Sequence, residues 1–130
     1  MKNIFILIVG LSLFACNNKP SAAQLLDNEV MRVHDEAMAQ SALVLKLKKT
    51  INNQLDSTRD LTKRVHLQKI SAQLYIADRM MLEWMHHYQT PNLSNDTAIN
   101  YLNIQLNKIN EVHSVTFESI KTAQLVLDKQ

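Results

Sequence analysis

Methionine and histidine side chains recur together in two stretches of this 130-residue chain, in a pattern that suits a soft metal ion. Met31, His34 and Met38 are three and four residues apart, which places them on one face of a helix. Met81 and Met85 have the same four-residue spacing in the second stretch. Thioether and imidazole ligands suit Cu(I), so these five residues form a candidate copper site, with haem binding as a related possibility.

The same residues also have a purely structural interpretation. Methionine fills irregular gaps between helices and packs against aromatic rings, and the only tryptophan, Trp84, lies in the second stretch. His34 and Asp78 likewise form either a proton-handling pair or a buried polar contact that fixes the helix register. We favour the structural interpretation for both sets of residues.

A different kind of site is indicated by three residues on another face of the second stretch. Met80, Trp84 and His87 share this face at helical spacing and form a candidate surface for a protein partner. No Ser/His/Asp or Cys/His arrangement is visible, and the single thiol, Cys16, directly follows the apolar leader. We therefore expect a non-catalytic protein rather than an enzyme.

The amino-acid composition limits the kinds of secondary structure that can position these residues. One Gly and two Pro leave few turn residues for a β-sheet protein, whereas residues that favour helices are plentiful. The length suits one domain. A formal charge of +2, with basic residues spread along the chain, argues against a nucleic-acid partner.

Apolar residues recur at helical spacing through three segments. The first helix is predicted to begin at Ser21, which forms a capping box with Gln24. The second is predicted to have its N-cap at Ser57, to run to about Gln89, and to be followed by a third helix from near Asp96.

These segments predict an all-α fold: an up-down-up three-helix bundle of long antiparallel helices over residues 21–130. Antiparallel packing around a turn near Ser57 and a second turn near Pro91 brings the chemistry-bearing residues to similar levels. The expected zone contains His34, Asp78, Met81, Trp84, Met85 and Tyr101.

The first fifteen residues are predicted to be a signal peptide. A short positive region precedes an apolar run from Ile4 to Phe14, which is shorter than the roughly 20 residues that span a bilayer. The run ends in Leu13-Phe14-Ala15-Cys16, which resembles the lipobox of bacterial lipoproteins. The resemblance implies lipid attachment, such as palmitate, at Cys16, and an ordinary secretory leader with an incidental Cys is the alternative.

Residues 16–20 would then be the lipidated Cys and a short tether, after cleavage of a signal peptide at residues 1–15. Four extended residues between Cys16 and the bundle reach at most about 14 Å, so the domain would lie close to the membrane. The expected location is the cell envelope, anchored by lipid to a bacterial membrane on its periplasmic or outer-membrane face.

Two motifs resemble those of a known family. They are V-M-x-x-H-D-E-x-M at Val30 to Met38 and A-D-x-x-M-x-x-W-M-H-x-Y-x-x-P at Ala77 to Pro91. The chain is similar to small lipoproteins of Bacteroidota-type bacteria that are labelled by similarity to viral A-type inclusion protein repeats. Ala39-Gln40 departs from the Pro-Lys-like pair and the following Gly expected there. The resemblance implies a lipid-anchored helical protein and no particular activity or ligand.

The sequence thus predicts a membrane-anchored envelope lipoprotein that serves as a helical interaction or structural module. Its partner would be another envelope protein or a second copy of the chain. The alternative is a periplasmic copper- or haem-binding protein that uses the Met/His zone. An exposed surface of Met80, Trp84 and His87 would favour docking, whereas convergent, inward-pointing Met and His side chains would favour a ligand.

Overall fold

The computed structural model describes residues 19–128, whose regular structure is entirely helical. Helix α1 spans Ala22–Ser57, α2 spans Leu61–His87 and α3 spans Ala98–Leu127. Each helix packs against the other two, and the short connections make sequential helices antiparallel. The predicted all-α three-helix bundle is confirmed.

The starts of the first two helices are fixed by side-chain caps. Ser21 and Gln24 form the predicted capping box: the Ser21 hydroxyl accepts from the Gln24 N–H at 3.2 Å, and the Gln24 side chain accepts from the Ser21 N–H at 2.7 Å. The predicted N-cap of α2 at Ser57 is wrong, because α1 continues through Ser57. Asp60 is the N-cap instead, and its carboxylate accepts from the Lys63 N–H at 3.0 Å.

The connection between α2 and α3 is longer than predicted. α2 ends at His87, two residues before its predicted end, and α3 begins at Ala98, two residues after its predicted start. Residues 88–97 therefore form the loop. The side chains of Asn92 and Asn95 each accept a hydrogen bond from the backbone N–H two residues further along, at 3.1 and 3.2 Å. These local bonds satisfy backbone donors that would otherwise belong to a helix.

The core divides into two clusters along the bundle. The cluster nearer the α2–α3 loop, the loop-end cluster, consists of Ala23, Val30, Val33, Ala37, Met81, Trp84, Ala98, Leu102, Ile109 and Val112. The cluster nearer the α1–α2 turn, the turn-end cluster, consists of Val44, Leu47, Ile51, Leu67, Ile70, Leu74, Ile120 and Ala123. Because α1 begins at the loop end, the predicted tether leaves the bundle at the same end as the α2–α3 loop.

The predicted signal peptide, residues 1–15, and the predicted lipidation site Cys16 lie outside the described residues. Lys19 and Pro20, the last residues of the predicted tether, are exposed and lead directly into the Ser21 cap. Within residues 19–128, none of the helices combines the length and the apolar character needed to cross a membrane.

Candidate functional site

Four ring side chains form a row at the loop end of the bundle. Each helix contributes one of them, and the fourth comes from the loop that follows α2. The His34 ring stacks on Trp84 with centroids 5.3 Å apart, and Trp84 stacks on Tyr88 at 4.8 Å. Tyr88 in turn lies 6.2 Å from Tyr101 on α3. We call these four residues the aromatic row. Of the zone expected from the sequence, the row contains His34, Trp84 and Tyr101, and Tyr88 joins them.

Hydrogen bonds fix both tyrosines of the row. The Tyr88 hydroxyl donates to the Asp27 carboxylate on α1 at 2.8 Å, and the Tyr101 hydroxyl accepts from the Gln89 N–H at 2.8 Å. Burial raises the pKa of Tyr88, and the hydrogen bond to the Asp27 carboxylate raises it further. Tyr88 is therefore a neutral donor that ties the end of α2 to the start of α1.

The predicted pair of His34 and Asp78 is not formed among the described residues. Asp78 accepts a hydrogen bond from the Lys48 ammonium at 2.7 Å, and His34 Nδ1 lies 3.0 Å from the carboxylate of its neighbour Asp35. The physical reason is the extension of α1 through Ser57. The later turn places His34 level with Trp84, six residues beyond Asp78, so the predicted pair is out of reach.

The five predicted copper ligands do not share one environment. Met81 is buried in the loop-end cluster, and Met31 and His34 are partly buried. Met38 and Met85 are each 37% exposed, and the Met38 sulfur accepts a weak hydrogen bond from the Ser41 hydroxyl at 3.8 Å.

Histidine, cysteine and carboxylate side chains are a second class of metal ligand. Residues 19–128 contain no group of three or more His, Cys, Asp or Glu side chains arranged to hold a metal ion. Methionine thioethers, on which the copper alternative depends, are a separate class of donor. The copper alternative therefore depends on where the methionine sulfurs lie. Met38 and Met85 both reach solvent instead of the interior.

The three residues predicted as a partner surface do come together, in a groove between α2 and α3. Met80, Trp84 and His87 line one wall, and the groove has a volume of about 230 Å³. The opposite wall and the rim are completed by Glu83, Gln105, Lys108, Glu111 and Val112. Trp84 is only 7% exposed, so this surface is a recess with the indole in its wall, not a flat patch.

One polar atom in the wall of the groove is buried without an internal partner. The Trp84 indole N–H has no hydrogen-bond acceptor among the described residues. A buried donor without an acceptor costs about 1–3 kcal/mol, so this position lowers the stability of the loop end. Gln105, on the α3 side of the groove, is 7% exposed.

Sequence reasoning missed the α3 side of this groove. Gln105 follows Leu102 by three residues and precedes Ile109 by four, so it occupies a core position of the α3 stripe. A polar residue at such a position is the signal that was available. Lys108 and Glu111 carry no comparable signal, because charged residues are ordinary on an exposed helical face.

No protein-family model, curated protein or solved structure matches this chain. The resemblance to small bacterial lipoproteins therefore stays a prediction that depends on the two motifs and the lipobox-like leader. The chemistry that bears on function lies in the groove and in the aromatic row.

Proposed function

We propose that this chain is a lipid-anchored, non-catalytic interaction module of a bacterial cell envelope. Cys16 would carry the lipid, and the α2–α3 groove would bind another envelope protein. The lipobox-like Leu13-Phe14-Ala15-Cys16 and the apolar run before it support the anchor. More than one acyl chain on a protein makes membrane attachment stable.

The observation that carries the docking proposal is the composition of the groove. Met80, Trp84 and His87, selected from sequence as a partner surface, line it together with residues of α3. A recess with an apolar floor, a buried aromatic residue and a charged rim has the organisation of a protein-binding hot spot.

The proposed anchor also determines where the partner must be. The groove reaches His87, the last residue of α2, and α2 ends at the same end of the bundle at which the tether enters. His34, which stacks on Trp84, lies about 20 Å along α1 from Ser21, and Met80 lies about 6 Å further along the bundle. With a tether of about 14 Å, the whole site lies within roughly 40 Å of the membrane. The partner would accordingly be a membrane protein or another lipoprotein.

Two features support docking over the copper alternative. Met38 and Met85 are more than one-third exposed, and the His34 ring is held between Trp84 and Asp35. Competition with a chromogenic Cu(I) chelator tests the alternative directly. One tight site per chain that disappears in His34→Ala would favour copper binding.

The anchor is tested by replacing Cys16 with Ser. The variant should leave the membrane fraction and should no longer incorporate radiolabelled palmitate. Unchanged labelling of Cys16→Ser would refute the lipid attachment.

The docking proposal is tested by chemical cross-linking in cells followed by purification of the full chain. Met80→Glu, which places a charge on the groove floor, should remove a specific cross-linked product. Ile76→Glu is the matched control, because Ile76 is 51% exposed one turn earlier on α2 and does not line the groove. Should Met80→Glu unfold the bundle, His87→Glu on the exposed rim replaces it. Equal loss of the product in groove and control variants would contradict the proposal.

A further inference from the structure

We draw no further inference here: the strongest candidate, the surface patch on the α1–α2 side of the bundle at which Met38, Leu45, Tyr75, Leu82 and Met85 are exposed, carries none because nothing in the structure shows what covers it.

Discussion

The two ends of the bundle use different kinds of residues. The turn-end cluster is purely aliphatic and contains Ile51, Leu67, Ile70 and Leu74, each at most 1% exposed. The loop end holds the aromatic row, the hydrogen bond from Tyr88 to Asp27, and the groove. The difference indicates a division of labour, in which both ends bury apolar side chains but only the loop end also carries chemistry available for binding.

The division has a physical basis. Close-packed aliphatic side chains have no polar atoms to satisfy, so their burial is uniformly favourable. The loop end instead keeps the Trp84 N–H buried without an acceptor and has charged residues along the rim of the groove. Departures of this kind from good packing and full hydrogen bonding are concentrated at functional sites.

The largest effect is expected at the turn end. Leu74→Ala removes a side chain that is 0% exposed and leaves a cavity, which should lower the free energy of unfolding by about 2–5 kcal/mol. Chemical denaturation followed by circular dichroism measures this change. A loss below about 1 kcal/mol would show that close packing at the aliphatic end contributes little to stability.

An intermediate effect is expected from Tyr88→Phe at the loop end. This change removes the hydroxyl that donates to Asp27 and keeps the ring, and it should cost about 1.5–3 kcal/mol, the range for a hydrogen bond to a charged group. Thermal or urea unfolding at neutral pH measures the difference. No difference between the two proteins would mean that the bond does not tie α2 to α1.

The same variant carries a pH signature. The raised pKa of Tyr88 means that the folded state favours the protonated hydroxyl. Its contribution is present in full below about pH 10, the unfolded value, and is lost as the pH rises through the higher folded value. The stability difference between the wild type and Tyr88→Phe should therefore shrink above about pH 10. A difference that grows in this range would contradict the assignment.

The smallest effect is expected from the ion pair that joins the middle of α1 and α2. Lys48 and Asp78 are 2.7 Å apart with side chains 21% and 26% exposed, and the Lys48 ammonium also lies 5.4 Å from the centre of the Tyr75 ring. A double-mutant cycle with Lys48→Met and Asp78→Asn should give a coupling free energy of about 1 kcal/mol, near the upper end for partly solvated pairs. A coupling near zero would show that the contact does not fix the register.

Much of the fold is predictable from the sequence because helical periodicity is local. The recurrence of apolar residues in three segments, the capping box at Ser21 and the scarcity of Gly and Pro were enough to predict the three-helix bundle. The N-cap of α2 could not be predicted in this way, since both Ser57 and Asp60 have suitable side chains. Which of them caps α2 depends on how far α1 continues along the packed bundle.

Facing residues were harder to predict than helices. In an antiparallel pair, each residue by which the turn moves along the chain changes the facing position by two. The turn at residues 58–60, about two residues later than predicted, was therefore enough to place His34 level with Trp84, on which it stacks, and to separate it from Asp78. Only the α2 wall of the groove could be predicted, because it follows from residue spacing along one helix. Gln105 and its neighbours belong to α3, and the alignment of α3 with α2 depends on the 88–97 loop.

The central claim, that the loop end binds the partner and the turn end does not, is tested most directly by site-specific photo-cross-linking in cells. A photoreactive amino acid would replace His87 on the groove rim in one strain and His66 near the other end of α2 in another. Both histidines are exposed, which makes the two positions a matched pair. We predict a discrete cross-linked product from position 87 and none from position 66. A product from position 66 alone, or equal products from both, would contradict the claim.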